Sequence, residues 1–156
     1  MSSIPNIKYV HTNLVARDWK RLVDFYVRVF NCTLVPPERD LAGPWLDEAT
    51  SIARAHLRGA HVRLPGYGND GPTLEIFQYD EELDALAPAT NRPGFGHIAF
   101  LVEDVDAAHD AVIAAGGKAI GKIVAPEIAG AGKIRFVYVA DPEGNIIELQ
   151  KWWKEK

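Results

Sequence analysis

A chain of 156 residues is long enough for one compact domain, or for two small halves that share a core. A net charge of −4 with acids and bases interspersed excludes a basic nucleic-acid footprint, and no apolar run approaches membrane-spanning length. The single cysteine, Cys32, excludes an intrachain disulfide and a cysteine-based zinc cluster; Met1 to Val10 lack the pattern of a signal peptide, so a cytoplasmic location is expected.

Ile7 to Val15 alternates as a strand does, with His11, Asn13 and Val15 on one face and Val10, Thr12 and Leu14 on the other. Asp18 can accept hydrogen bonds from the free N–H groups of a following helix, whose apolar stripe is Trp19, Leu22, Val23, Tyr26, Val29 and Phe30. Asn31 suits the helix exit, because it tolerates left-handed backbone angles. A short strand from Thr33 to Val35 is expected to end at Pro36 and Pro37. Residues 38–51 read as an insertion with a short helix from Pro44 to Thr50. Ile52 to Leu64 reads as a long strand or a hairpin with an irregularity at Gly59, and Thr73 to Tyr79 as the closing strand.

Residues 80–94 read as a linker, after which the plan repeats. His97 opens a strand, Asp104 caps a helix with the stripe Val105, Ala108, Val112 and Ala115, and Gly116-Gly117 ends it. Lys118 to Ile120, Ile134 to Val139 and Asn145 to Trp152 read as strands, the last two joined by the turn Asp141-Pro142-Glu143-Gly144. The copies are offset by 86 residues at the histidine (97 − 11) and by 73 at the glutamate (148 − 75), so the first copy is the longer. Each copy therefore reads βαβββ, with repeats at about 5–80 and 95–153 in one domain spanning 1–156. One face of each ligand-bearing strand is aliphatic and can take a helix. The other carries His11 and Glu75, or His97 and Glu148, beside Asn13, Phe77, Tyr79, Gln150 and Trp152. Two imidazoles and two carboxylates at equivalent places can build a four-ligand metal site, in a cleft suited to a small molecule.

The segments Tyr9-Val10-His11, Thr73-Leu74-Glu75-Ile76, Gly96-His97-Ile98-Ala99-Phe100 and Asp141 to Leu149 resemble those of the vicinal oxygen chelate superfamily. That superfamily groups glyoxalases, methylmalonyl-CoA epimerases, fosfomycin-resistance thiol transferases, extradiol dioxygenases and bleomycin-resistance proteins. The resemblance implies an α+β fold in which two βαβββ modules pair, within a chain or across a homodimer, into a U-shaped half-open barrel. It implies a divalent metal held by His11, Glu75, His97 and Glu148. This thiolate-free donor set suits nickel, zinc, cobalt, manganese or iron(II). Four protein ligands leave a six-coordinate ion two positions for adjacent substrate oxygens. The implied activity is that of an isomerase or lyase of the lactoylglutathione lyase or methylmalonyl-CoA epimerase type. The metal would stabilise an enediolate while Glu148 first, or Glu75 second, moves the proton.

Two alternatives stand beside that reading. One is an iron(II) dioxygenase or thiol transferase using His11, His97 and Glu148, with Glu75 not a ligand. The other is a metal-free, drug-binding protein of the bleomycin-resistance kind, using Phe77, Tyr79 and Trp152. His56, His61 and His109 have no evident repeat partner and are expected in solvent. Arg54, Arg58 and Arg63 could make an anion-binding face, although exposed strand arginines are the simpler reading. Trp152-Trp153 could cover the cleft or a dimer interface, with terminal packing an equal alternative, and Cys32 reads as a small buried residue.

Overall fold

Two sheets organise residues 4–153, the residues that this computed structural model describes. Residues 1–3 and 154–156 lie outside them, and so does that part of the signal-peptide expectation. The chain divides into two compact units, Met1–Leu83 and Asp84–Lys156. Among the described residues no helix is long and apolar enough to cross a membrane.

The first unit runs β1 (His11–Val15), α1 (Trp19–Phe30), β2 (Thr33–Ala42), α2 (Pro44–Thr50), β3 (His56–Arg63) and β4 (Thr73–Tyr79). The local signals act as expected at α1. Asp18 accepts the Arg21 N–H at 3.0 Å, and Asn31 closes the helix in a left-handed conformation with φ of 53°. The buried stripe is Trp19, Leu22, Phe25, Tyr26 and Phe30; Phe25 joins it, and Val23 and Val29 are half-buried at its margin. Stacked edges among Phe25, Tyr26 and Phe30 fill the space under the helix.

The four strands lie in the order β1-β4-β3-β2, with β1 parallel to β4 and the other neighbours antiparallel. Alternation then divides the sheet. Ala60, Val62, Leu74 and Ile76, all buried, form one aliphatic face, and α1 packs against β3 and β4. Leu57, Gly59 and His61 share the opposite face with Tyr79, Phe77 and Glu75. On that face α2 seats Leu46 against Ala55, Leu57 and Phe77, with Leu41 and Tyr79 at the edge. Asp47 ties the helix down by accepting the Arg54 and Ala55 N–H groups, both at 2.8 Å.

Two expectations change here. Strand β1 begins at His11 rather than Ile7, and the residues before it carry exposed apolar side chains. Strand β2 does not stop at Pro36 and Pro37. It continues to Ala42, and its pairing with β3 slips between Val35 and Arg39, so prolines without an N–H sit where the ladder is interrupted. Gly59 borders that same slip, pairing with Arg39 where the β2–β3 register shifts, as expected, while β3 pairs continuously with β4 through it. The glycine answers a steric demand: a Cβ there would overlap the Ile76 carbonyl oxygen and lie 2.6 Å from Phe77 Cδ1.

The second unit runs β5 (Ile98–Leu101), α3 (Val105–Ala114), β6 (Lys118–Ala119), β7 (Glu127–Ile128), β8 (Gly132–Ala140) and β9 (Ile146–Trp153). Its sheet order, β5-β9-β8-β6 with β5 parallel to β9, repeats that of the first unit, and β7 adds a short pairing to β8. Asp104 caps α3 by accepting the Ala107 N–H at 3.0 Å. Val105 and Val112 bury the helix, whereas Ala115 is exposed; Val137, Val139, Ile147 and Leu149 form the sheet side of this core.

Candidate functional site

The strand order explains how residues so distant in sequence meet. In each unit the first strand is hydrogen-bonded in parallel to the last, Asn13 opposite Glu75 and Ala99 opposite Glu148. Each histidine stands two residues before that position, hence on the same face as the glutamate. His11 Nε2 lies 3.6 Å from Glu75 Oε1, and His97 Nε2 lies 2.9 Å from Glu148 Oε2. His97 directly precedes β5 rather than opening it.

These separations suit shared coordination. Two donors each about 2.1 Å from one ion and at right angles to it are about 3.0 Å apart, and 3.6 Å corresponds to about 120°. The histidines are about one-third exposed and the glutamates less so, at 17% for Glu75 and 13% for Glu148, so each pair is sheltered yet open on one side. Each unit by itself thus presents one imidazole and one carboxylate of compatible chemistry.

One member of the site is not evident from composition or spacing. His61 is directly opposite Glu75 in the β3–β4 ladder, and its side chain is 16% exposed, not solvated as expected. Its Nε2 lies 2.9 Å from Glu75 Oε2, its Nδ1 lies 2.9 Å from the Thr73 hydroxyl, and its ring meets His11 edge-on. Donor atoms of His11, His61 and Glu75 fall within 4.8 Å of one another. Burial holds the His61 pKa below its ordinary 6.5, Glu75 pulls it back up, and Arg39 and His11 press it down. A repeat partner does exist: Tyr138 is opposite Glu148 in the β8–β9 ladder, and its ring lies 5.1 Å from that of His97. Burial and the Glu148 charge raise the Tyr138 pKa.

The other candidates settle differently. His56 is half-buried between Asp40 (2.6 Å) and Asp80 (2.8 Å), and His109 is half-buried beside Asp110 at 3.2 Å. Arg58 and Arg63 point to opposite faces of β3; Arg58 pairs with Asp80 at 2.7 Å and Arg63 donates to the Gly71 carbonyl at 2.9 Å, so no common anion face forms with Arg54. Trp152 donates to Gln150 Oε1 at 2.6 Å, and Trp153 is exposed, with the Lys151 ammonium over its ring. Cys32 is buried as expected, which pushes its thiol pKa up to about 12.

A family model described as the glyoxalase/bleomycin resistance protein/dioxygenase superfamily matches residues 8–149. The chain belongs to this superfamily. Among solved structures, a glyoxalase family protein from Bacillus cereus aligns with a TM-score of 0.81 at 17% identity, over 99% of each chain. The genomically encoded fosfomycin resistance protein FosX from Listeria monocytogenes aligns at 0.59 with 17% identity, over 97% of this chain and 96% of that one. FosX complexed with Mn(II) and sulfate aligns at 0.54 with 17% identity, over 97% and 95% of the two chains. At such identities the likeness shows the α+β glyoxalase fold, and the FosX complex shows that a relative with this fold takes up a divalent cation. Among curated protein sequences none matches the chain.

Proposed function

We propose that this chain is a metal-dependent isomerase or lyase that removes a proton from a carbon beside a carbonyl. In this reading His11, Glu75, His97 and Glu148 together hold one divalent cation. The carrying observation is the twofold recurrence of one arrangement, an imidazole and a carboxylate on hydrogen-bonded parallel strands, 3.6 Å apart in one unit and 2.9 Å in the other. A single such pair is a common strand contact; two at equivalent places are a ligand set.

When bound, the cation would act as a Lewis acid toward two adjacent substrate oxygens, which lowers the barrier to removing the neighbouring proton. The protein's part is to hold the donors and to supply a base. Glu148 is the carboxylate we assign to proton transfer, within a small-molecule site and with nickel, zinc, cobalt, manganese or iron(II) as suitable cations. A homodimer, and pairing of the two units within one chain or across it, belong to the same proposal. The alternative with Glu75 outside the ligand set is disfavoured by the direct approach of Glu75 to His11. The drug-binding alternative is disfavoured because Phe77, 8% exposed, is packed under α2 and unavailable to a ligand.

The test is solvent exchange. Protein loaded with Ni(II) or Zn(II) is given a 2-hydroxyketone, a thiohemiacetal and an acyl-CoA thioester in D2O, and deuterium beside the carbonyl is followed by NMR. We expect exchange in one substrate class, reduced about 10²- to 10⁴-fold in Glu148→Gln. No exchange in any class with a metal-loaded protein would overturn the reading.

A further inference from the structure

We infer that His61 is a positioning residue for Glu75, holding one carboxylate oxygen so that the other is presented toward the His11 side. The inference rests on the reading of Glu75 as a metal ligand and adds a division of labour between the two glutamates.

Both ring nitrogens of His61 are engaged. Nδ1 lies 2.9 Å from Thr73 Oγ1 and Nε2 lies 2.9 Å from Glu75 Oε2. A carboxylate can only accept, so Nε2 carries the hydrogen and donates it; Nδ1 then accepts from the Thr73 hydroxyl. The result is a relay of fixed direction, hydroxyl to imidazole to carboxylate, with Thr73 itself buried at 8% exposure. With Nδ1 turned to the Thr73 hydroxyl and Nε2 to Glu75 Oε2, His61 is assigned to the support of a ligand rather than to the ligand set. From the neighbouring strand Asn13 Nδ2 donates to Glu75 Oε1 at 3.1 Å, so both oxygens are held.

The second unit lacks this device. The strand positions of Asn13, His61 and Thr73 relative to Glu75 are occupied by Ala99, Tyr138 and Ile146 relative to Glu148. Alanine and isoleucine offer no side-chain hydrogen bond, and Tyr138 feels Glu148 through its charge rather than through a hydrogen bond. Glu148 is engaged by His97 alone of these neighbours. The held carboxylate is suited to constant ligation. The one with fewer restraints is suited to letting go and carrying a proton.

Mn(II) affinity, read by electron paramagnetic resonance of the free ion, tests this on the full chain, together with the infrared carboxylate stretches of the loaded protein. His61→Leu should weaken Mn(II) binding about 10- to 100-fold and shift a carboxylate band, as loss of a ligand's supporting hydrogen bond does. His61→Gln, which can still donate to Glu75, should remain within about threefold of the parent. In the double variant H61L/E75Q, binding should be no weaker than in E75Q, since His61 acts through Glu75. Full binding by H61L, or additive losses in the double variant, would overturn the inference and leave the four-ligand reading intact. Undiminished binding by E75Q would overturn that reading and this inference with it. Should H61L fail to fold, Thr73→Val decides: about a fivefold loss supports the relay and no loss refutes it.

Discussion

Substituting Asp141 by alanine should destabilise the second unit by about 3 kcal/mol. The carboxylate is 1% exposed and accepts three hydrogen bonds, from the Glu143 N–H (2.9 Å), the Asn145 N–H (2.9 Å) and Asn145 Nδ2 (2.8 Å). Bonds to a charged acceptor are worth about 1.5–3 kcal/mol each, or roughly 4.5–9 kcal/mol in simple addition. The three share one carboxylate, however, and the freed amides belong to half-buried residues that water can reach, so the larger part of that sum is not lost. For a chain of this length, 3 kcal/mol corresponds to roughly 6–12 °C in Tm. Asp141→Asn keeps one acceptor oxygen and sets an amide against Asn145 Nδ2, which should cost only about 1 kcal/mol. Calorimetry and urea unfolding followed by tryptophan fluorescence measure both. A fall of less than about 2 °C for D141A would refute the assignment of Asp141 as the anchor of the turn that leads into β9.

Two further outcomes follow from the first unit. Gly59→Ala should destabilise by about 1–3 kcal/mol, because its Cβ meets the backbone of Ile76 rather than a side chain that can move aside; unchanged urea stability would contradict this. The His56 pKa is raised above 6.5 by hydrogen bonds to Asp40 and Asp80, and that of Asp80 is lowered below 3.8 by Arg58 and His56. The His56 contribution is therefore complete below pH 6.5 and lost as pH rises through its folded value. The Asp80 contribution is complete above pH 3.8 and lost as pH falls through its folded value. The network should be strongest between these limits, and an NMR titration should place the His56 midpoint above 6.5; a midpoint at or below 6.5 would contradict the geometry.

What could be read in the sequence was mostly what depends on neighbours along the chain. Asp18, Asn31 and Asp104 fix helix ends through local hydrogen bonds, so those boundaries were legible, as were α2 at Pro44–Thr50 and β4 at Thr73–Tyr79. The His–Glu pairs were legible because the copy repeats them. His61 was hidden because its place opposite Glu75 depends on the β3–β4 loop, residues 64–72, while the β8–β9 loop is the shorter 141–145. That difference breaks the numerical match between His61 and Tyr138. The slip at Gly59 was legible, but the steric demand on it was not, because that comes from Ile76 and Phe77 across the sheet. Phe77 lies on the face read for it, but its burial was not legible because its cover, α2, belongs to the insertion in the first copy. The face-sharing of Arg58 and Arg63, five residues apart, was by contrast excluded by strand parity alone.

The most direct measurement is the number of cations bound per chain, by elemental analysis after loading with Ni(II) or Mn(II) and dialysis. One ion per chain, removed by His11→Ala and equally by His97→Ala, is the result that four shared ligands require. Two ions per chain, each lost with its own histidine, or one ion that survives either substitution, would contradict a joint site.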